Sequence, residues 1–173
     1  FLSATSLEEN FDAIFPKDYP DNFRCALAGL PYARLTTRVY RLLANHGVLA
    51  AALDAKPQSD REGRRIVEFL CLGVLWGEED LTSPRFAKLF ETGREEQLTA
   101  ASDYFWGVRG DKLTLKQKAA ILEFWAKATV WARDQQEVPK TLLSHLGRLA
   151  VYLNSLDAKA SPLLAVVVPH AGT

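Results

Sequence analysis

At 173 residues the chain fits one domain, 1–173, and it is long enough to bury a hydrophobic core of its own. Its composition of 48% hydrophobic and 24% charged residues is typical of soluble globular proteins and argues against disorder. Because 21 basic residues balance 21 acidic ones, no overall field draws the chain toward nucleic acid or a membrane, and either partner would need a local patch.

The first half of the chain predicts a series of short helices. Ser6, with a glutamate three residues further on, has the spacing of a capping box, and Asp21 suits the start of a second helix. Pro31 is typical of the first turn of a longer helix that Gly47 would end. The loop-like segment 55–60 is the best place for a joint between subdomains, and an apolar helix follows it.

The most strongly determined stretch is the helix predicted from Thr114 to Asp134. Thr114 and Gln117 have capping-box spacing, which predicts where this helix begins. Apolar residues then cover an arc wider than the stripe of a surface helix, so we expect an interior helix that packs on two sides. In particular, Trp125 should lie buried between two neighbouring helices.

The order of helices and short loops predicts an all-α fold. Helices joined by short loops lie antiparallel to their neighbours, so we expect about nine or ten helices, stacked as hairpins from Arg61 onward. Ser161 and Pro162 predict the start of a last helix. The β-branched run 166–168 has strand propensity, but no partner strand is in sight, so helix is the favoured interpretation.

One short sequence pattern occurs twice in the chain and bears on the architecture. Trp76-Gly77 and Trp106-Gly107 each precede a Leu-Thr pair and a new helix, with an offset of about thirty residues. Self-similarity at such a period favours stacked repeats. The sequence therefore favours an α-solenoid-like stack over an irregular helical bundle.

Aromatic and leucine positions in the second half carry a resemblance to known proteins. They lie in two consecutive runs, FWGVRGDKLTLKQKAAILEFWAKATVWA and LLSHLGRLAVYLNSLDAKASPLLAVVVPHAG. These runs resemble the HEAT-like helical carboxy-terminal regions of large multidomain bacterial proteins whose amino-terminal parts carry enzymatic domains. The resemblance implies a scaffold or sensing region of a larger protein, with a role in anti-phage or stress defence, and it assigns no functional residue.

The sequence contains none of the common catalytic or ligand-binding motifs. There is no Gly-rich phosphate loop, no Cys/His spacing for zinc, no His-Glu-x-x-His and no Gly-x-Ser-x-Gly. The acidic triplet Glu78-Glu79-Asp80 lacks a surrounding oxygen-ligand loop, so we expect it to keep a loop solvated and to place negative charge near the next helix start. We therefore expect no metal, no cofactor and no enzymatic activity.

The one enzymatic alternative with named residues uses Arg41 and His46. Their spacing resembles the Arg-x4-His motif of HEPN-type ribonucleases, all-α proteins that dimerise to pair two such motifs over an RNA phosphate. Leu42 stands where that family commonly has a polar residue, and Gly47 follows where the family's helix continues. The favoured interpretation is that His46 interacts with the last carbonyl groups of a helix.

Arg34, Arg38 and Arg41 share one face of a predicted helix and are the candidate binding residues. Guanidinium groups in a row suit phosphates or an acidic protein partner, because each offers a planar fork of donors. The alternative is that nearby acids such as Glu8 neutralise the row within the fold. Because overall neutrality supplies no long-range attraction, nucleic-acid binding is the less favoured interpretation.

The cysteines, the longest apolar runs and the chain ends bear on cellular location and on the extent of the protein. Cys25 and Cys71 lie in apolar helical contexts rather than a disulfide framework, which favours a reducing compartment. No apolar run is long enough to cross a bilayer and no basic-then-apolar leader is present, so we expect a cytoplasmic protein without a membrane partner. The chain begins at Phe1 and contains no Met, so we expect a fragment of a longer protein. The favoured function is a non-catalytic scaffold that binds a protein partner or other domains of the parent chain.

Overall fold

The computed structural model describes residues 4–16, 18, 20–29, 36–54, 60–91, 94–108 and 112–156, and every helix or strand element in these ranges is an α-helix. The predicted all-α class is therefore confirmed. The chain divides into two compact units, Phe1–Glu79 and Asp80–Thr173. Residues 55–59 of the expected joint, and the whole of the last helix expected from Ser161, lie outside the described ranges.

Unit 1 is organised around its fourth helix. The described helices of the unit are α1 (Ala4–Glu9), α2 (Phe11–Ile14), α3 (Pro20–Gly29), α4 (Thr37–Asn45), α5 (Val48–Asp54) and α6 (Asp60–Trp76). Helix α4 contacts α1, α5 and α6. It does so because Val39, Tyr40 and Leu43 form one apolar stripe at helical spacing, and all three are buried.

Two of the predicted helix starts in unit 1 are wrong. Helix α4 begins at Thr37 rather than Pro31, because Thr36 has extended backbone and its hydroxyl accepts a hydrogen bond from Val39 N at 3.3 Å. Ser6 lies inside α1 instead of at its start. The predicted stop is confirmed, since Gly47 follows α4 with a positive φ of 74°, a conformation that favours glycine.

Tyr40 joins α4 to α6 through a close approach. Its ring is 1% exposed, lies over Gly73, and meets Trp76 edge-on with ring centroids 6.4 Å apart. A Cβ atom on residue 73 would fall within 2.7 Å of three Tyr40 atoms, so only glycine permits this packing. The Tyr40 hydroxyl donates to Glu79 Oε2 at 2.8 Å and so holds the last residue of unit 1.

Unit 2 is built on an aromatic cluster. Its described helices are α7 (Pro84–Glu91), α8 (Glu95–Trp106), α9 (Leu115–Arg133) and α10 (Lys140–Leu156). Phe124 of α9 meets Phe86 and Phe90 of α7, and also Phe105 of α8, with ring centroids 5.1 to 6.3 Å apart. Tilted and edge-on aromatic pairs at these separations add to the burial of their apolar area. The cluster therefore fixes α7 and α8 against α9.

Helix α9 confirms its predicted cap and its predicted tryptophan burial. Thr114 Oγ1 accepts from Gln117 N at 3.3 Å, and Gln117 Oε1 accepts from Thr114 N at 2.8 Å. Trp125 is 1% exposed, and its indole N–H donates to a carbonyl of α10 at 2.9 Å. Burial of the whole apolar arc is wrong, however, because Leu115 is 84% exposed and Ala119 is exposed as well. One flank of α9 therefore stays accessible.

Helices α8 and α10 run parallel and are tied at three levels. The tethers are Leu142 N donating to Glu95 Oε1 at 3.0 Å, the contact between Asp103 Oδ1 and His145 Nδ1, and Tyr152 Oη donating to the Val108 carbonyl at 2.5 Å. From one tether to the next, the residue numbers rise on both sides of the interface. The two helices therefore run in the same direction. Because α9 connects the two helices, unit 2 contains an up-down-up arrangement of α8, α9 and α10.

The two Trp-Gly copies differ in local structure. Gly77 follows α6 with a φ of 74°, whereas Gly107 follows α8 in the right-handed helical region with a φ of −73°. Trp76 packs on Tyr40, whereas Trp106 is 51% exposed. The repeated Trp-Gly pattern therefore does not mark two equivalent structural repeats, and the solenoid-like stack stays a prediction.

Candidate functional site

The two described arginines of the predicted binding row each pair with a carboxylate of unit 1. Arg38 Nη2 lies 2.5 Å from Glu8 Oε2, and both side chains are exposed. Arg41 donates to Glu78 from Nε and Nη2 at 2.5 Å each, which raises the pKa of Arg41 and lowers the pKa of Glu78. Arg34 lies outside the described residues. Acids within the same unit therefore occupy the guanidinium groups that a phosphate would need.

The fold does not bring Arg41 and His46 together within one chain. His46 is the C-cap of α4, and its ring stacks on Phe11 with centroids 3.9 Å apart. Five positions along a helix correspond to a rotation of about 140°, and Arg41 points to its glutamate partner. The pairing of two such motifs across a dimer stays a hypothesis.

The acidic triplet Glu78-Glu79-Asp80 splits among separate partners. Glu78 pairs with Arg41. Glu79 accepts a hydrogen bond from the Tyr40 hydroxyl and is only 8% exposed. Asp80 Oδ1 accepts from Thr82 N at 2.7 Å and from its hydroxyl at 2.6 Å, and these hydrogen bonds lower the pKa of Asp80. The prediction that the triplet is solvated is therefore wrong for Glu79. In the described part of the chain, no group of three or more His, Cys, Asp or Glu side chains is placed to hold a metal ion.

An open groove of about 610 Å³ lies between α7 and α9 in unit 2. Its lining is mainly apolar and comprises Leu81, Thr82, Ala87, Phe90, Ala126, Lys127, Val130 and Trp131. The groove follows from the order of residues along α7. Phe86 and Leu89 are fully buried, whereas Ala87 and Phe90 lie on the adjacent flank, where the short alanine side chain leaves space beside α9.

Polar groups lie beside the lining residues Leu81 and Lys127. We call these groups the acidic end and define it as Asp80, Glu123 and Lys127. Lys127 Nζ donates to the Leu81 carbonyl at 3.1 Å and pairs with Glu123 Oε1 at 3.1 Å. Asp80 is exposed, and Lys127 contributes to lowering its pKa after the larger effect of the Thr82 hydrogen bonds. The acidic end thus combines two carboxylates with one ammonium group.

A second polar cluster lies inside unit 2, between α8 and α10. The side chains of Asp103 and His145 are in contact and are 21% and 19% exposed. Nearby on α8, the hydroxyl groups of Thr99 and Ser102 are buried without a hydrogen-bond partner. Serine, histidine and aspartate are the components of a hydrolase triad, but Ser102 is 0% exposed and makes no hydrogen bond to His145, so no substrate can reach it. We assign this cluster to helix packing.

The sequence analysis did not identify the groove. Ala126 and Trp131 belong to the apolar arc that predicts two-sided burial, and the arc by itself does not show which flank lacks a neighbour. Its α7 residues resemble ordinary core positions. One signal was present: the arc on α9 is wider than one partner helix can cover.

Two further findings concern membrane-spanning helices and the reactivity of the buried cysteine. Among the helices that the structure describes, none combines the length and apolar character needed to cross a bilayer. Cys71 is fully buried, and burial raises the pKa of its thiol, which makes it unsuited to act as a nucleophile.

Comparison with known proteins gives no match to any protein family, curated protein or solved structure. The HEAT-like resemblance of the second half therefore stays a prediction.

Proposed function

We propose that the chain is a non-catalytic interaction module, part of the helical scaffold of a larger cytoplasmic bacterial protein, which binds a helical segment of a protein partner. The observation that carries this proposal is the apolar groove between α7 and α9. Its polar lining residues are Thr82 and Lys127, and the Lys127 ammonium is already engaged by a carbonyl and a carboxylate. Such a lining suits the burial of apolar side chains rather than catalysis.

The shape of the groove favours a helix as its occupant. The lining residues of α9 extend from Ala126 to Trp131, about 7.5 Å along the helix axis, which matches side chains spaced i, i+3 and i+4 on a partner helix. A peptide that binds by strand addition would need a free strand edge, and the described residues contain no strand. A small molecule in an open groove would keep much of its surface in water, unlike ligands in enclosed pockets.

Selection of helical peptides from a displayed library tests this function. We expect the purified chain to enrich peptides whose apolar residues recur at i, i+3 and i+4. Ala126→Trp should abolish their binding, because the indole would fill the groove. Ala119→Trp is the matched control, since Ala119 lies on the same helix, is exposed and does not line the groove.

Two results would contradict the proposal. One is a selection that enriches no helical peptide. The other is an enriched set that binds the Ala126→Trp and Ala119→Trp variants equally well, because binding would then occur away from the groove.

A further inference from the structure

The acidic end gives the groove an electrostatic polarity. Glu123 is 49% exposed and Asp80 is exposed, so both carboxylates keep surface open to a partner. The single ammonium group of Lys127 donates to the Leu81 carbonyl as well as to Glu123. One cation therefore faces two anions, and the acidic end carries an excess negative charge.

Among the described residues, the two cations of α7 do not reverse this balance. Among the described residues, Lys127 is the charged group that helps to lower the pKa of Asp80. Arg85 and Lys88 belong to α7 but are rotated by more than about 100° from the flank that bears Ala87 and Phe90. The negative excess at the acidic end therefore remains, while the rest of the lining carries no charged side chain.

We infer that the segment bound in the groove is an amphipathic helix with a lysine or arginine one turn beyond its apolar anchors, placed against Asp80 and Glu123. This inference rests on the proposed function, because it specifies the partner of the same groove. A basic side chain would complement the two carboxylates, whereas an acidic one would face two like charges and only one cation. Because these charges are exposed, the attraction is modest and weakens with salt.

Three synthetic helical peptides test the inference. They share leucine anchors at i, i+3 and i+4 and carry Arg, Gln or Glu one turn beyond. In fluorescence anisotropy at low ionic strength, we expect the Arg peptide to bind about two- to fivefold more tightly than the Gln peptide, as exposed ion pairs allow. The Glu peptide should bind most weakly, and high salt should bring the three affinities together.

A charge variant locates the effect. Glu123→Gln should reduce the preference for the Arg peptide and leave the affinity of the Gln peptide nearly unchanged. Glu96→Gln is the matched control, because Glu96 is exposed on α8 and, unlike Glu123, is not paired with the lining residue Lys127. Equal loss of preference in both variants would assign the effect to overall charge and overturn the inference.

The remaining outcomes separate the inference from the function on which it rests. If all three peptides bind equally, or the Glu peptide binds best, the inference fails and the groove-binding function stands. If none binds, both fail. Sedimentation of the peptide-free chain covers another occupant: self-association that Ala126→Trp abolishes and Ala119→Trp preserves would assign the groove to a second copy of the chain and overturn the inference.

Discussion

Replacing Gly73 with alanine should destabilise unit 1, because the Tyr40 ring occupies the space that the new methyl group needs. The added Cβ atom would lie within 2.7 Å of three Tyr40 atoms, well inside van der Waals contact. The ring cannot withdraw freely, since it is 1% exposed and its hydroxyl is bonded to Glu79 at 2.8 Å.

The magnitude follows from the two ways in which the clash can be relieved. If the ring stays in place, overpacking costs about 1–3 kcal/mol. If the ring moves away, a hydrogen bond to a carboxylate, worth about 1.5–3 kcal/mol, is lost. Alanine recovers about 1 kcal/mol of helix propensity relative to glycine. Subtracting this gain from either cost, we expect a net loss of about 1 kcal/mol in the free energy of unfolding.

Urea unfolding monitored by far-ultraviolet circular dichroism measures this loss. Gly29→Ala is the matched control, because a Cβ atom at Gly29 meets nothing within 4 Å, and it should change the unfolding free energy by less than about 0.5 kcal/mol. In a Tyr40→Ala background, Gly73→Ala should cost nothing, since the clashing ring is absent. A cost that persists in that background, or an unchanged stability in the wild-type background, would refute the reasoning.

The remaining predictions concern the core of unit 2 and the ribonuclease alternative. Trp125→Ala should lower the free energy of unfolding by about 3–5 kcal/mol, as expected for a buried aromatic residue, whereas Leu115→Ala, at a site 84% exposed, should change it by less than about 0.5 kcal/mol; similar losses in the two variants would show that Trp125 is not a core residue. The purified chain should not cleave RNA without added metal, and gel analysis of RNA incubated with the wild type and with His46→Ala checks this. Metal-independent cleavage that is lost only in His46→Ala would contradict the non-catalytic proposal.

Local signals in the sequence predict the helices better than they predict which faces are covered. The Thr114 and Gln117 pair fixes the start of α9 because both partners of a capping box lie within one turn. Pro31 fails as the start of α4 because Thr36 provides a side-chain cap closer to the apolar stripe. Proline preference is a local tendency, and here the hydroxyl cap and the tertiary packing of α4 override it.

The candidate site depends on contacts that are remote in sequence. Glu79 binds the hydroxyl of Tyr40, which lies 39 positions earlier in the chain. Nothing near Glu79 in the sequence indicates that partner. The groove likewise depends on how α7 packs beside α9, which are distant in sequence, and this packing leaves Val130 partly exposed. Hydrophobic periodicity shows that a face is apolar, but it does not show how much of that face a neighbouring helix covers.

The three tethers between α8 and α10 restrict how unit 2 can move. Helices that pack only through apolar side chains can slide past one another in small shear motions. Here a shift of α10 by one turn, about 5.4 Å, would break the contacts made by Glu95, Asp103 and the Val108 carbonyl at the same time. Sliding along this interface is therefore opposed by three contacts that must break together, so the register of the two helices is held by specific polar groups as well as by apolar packing.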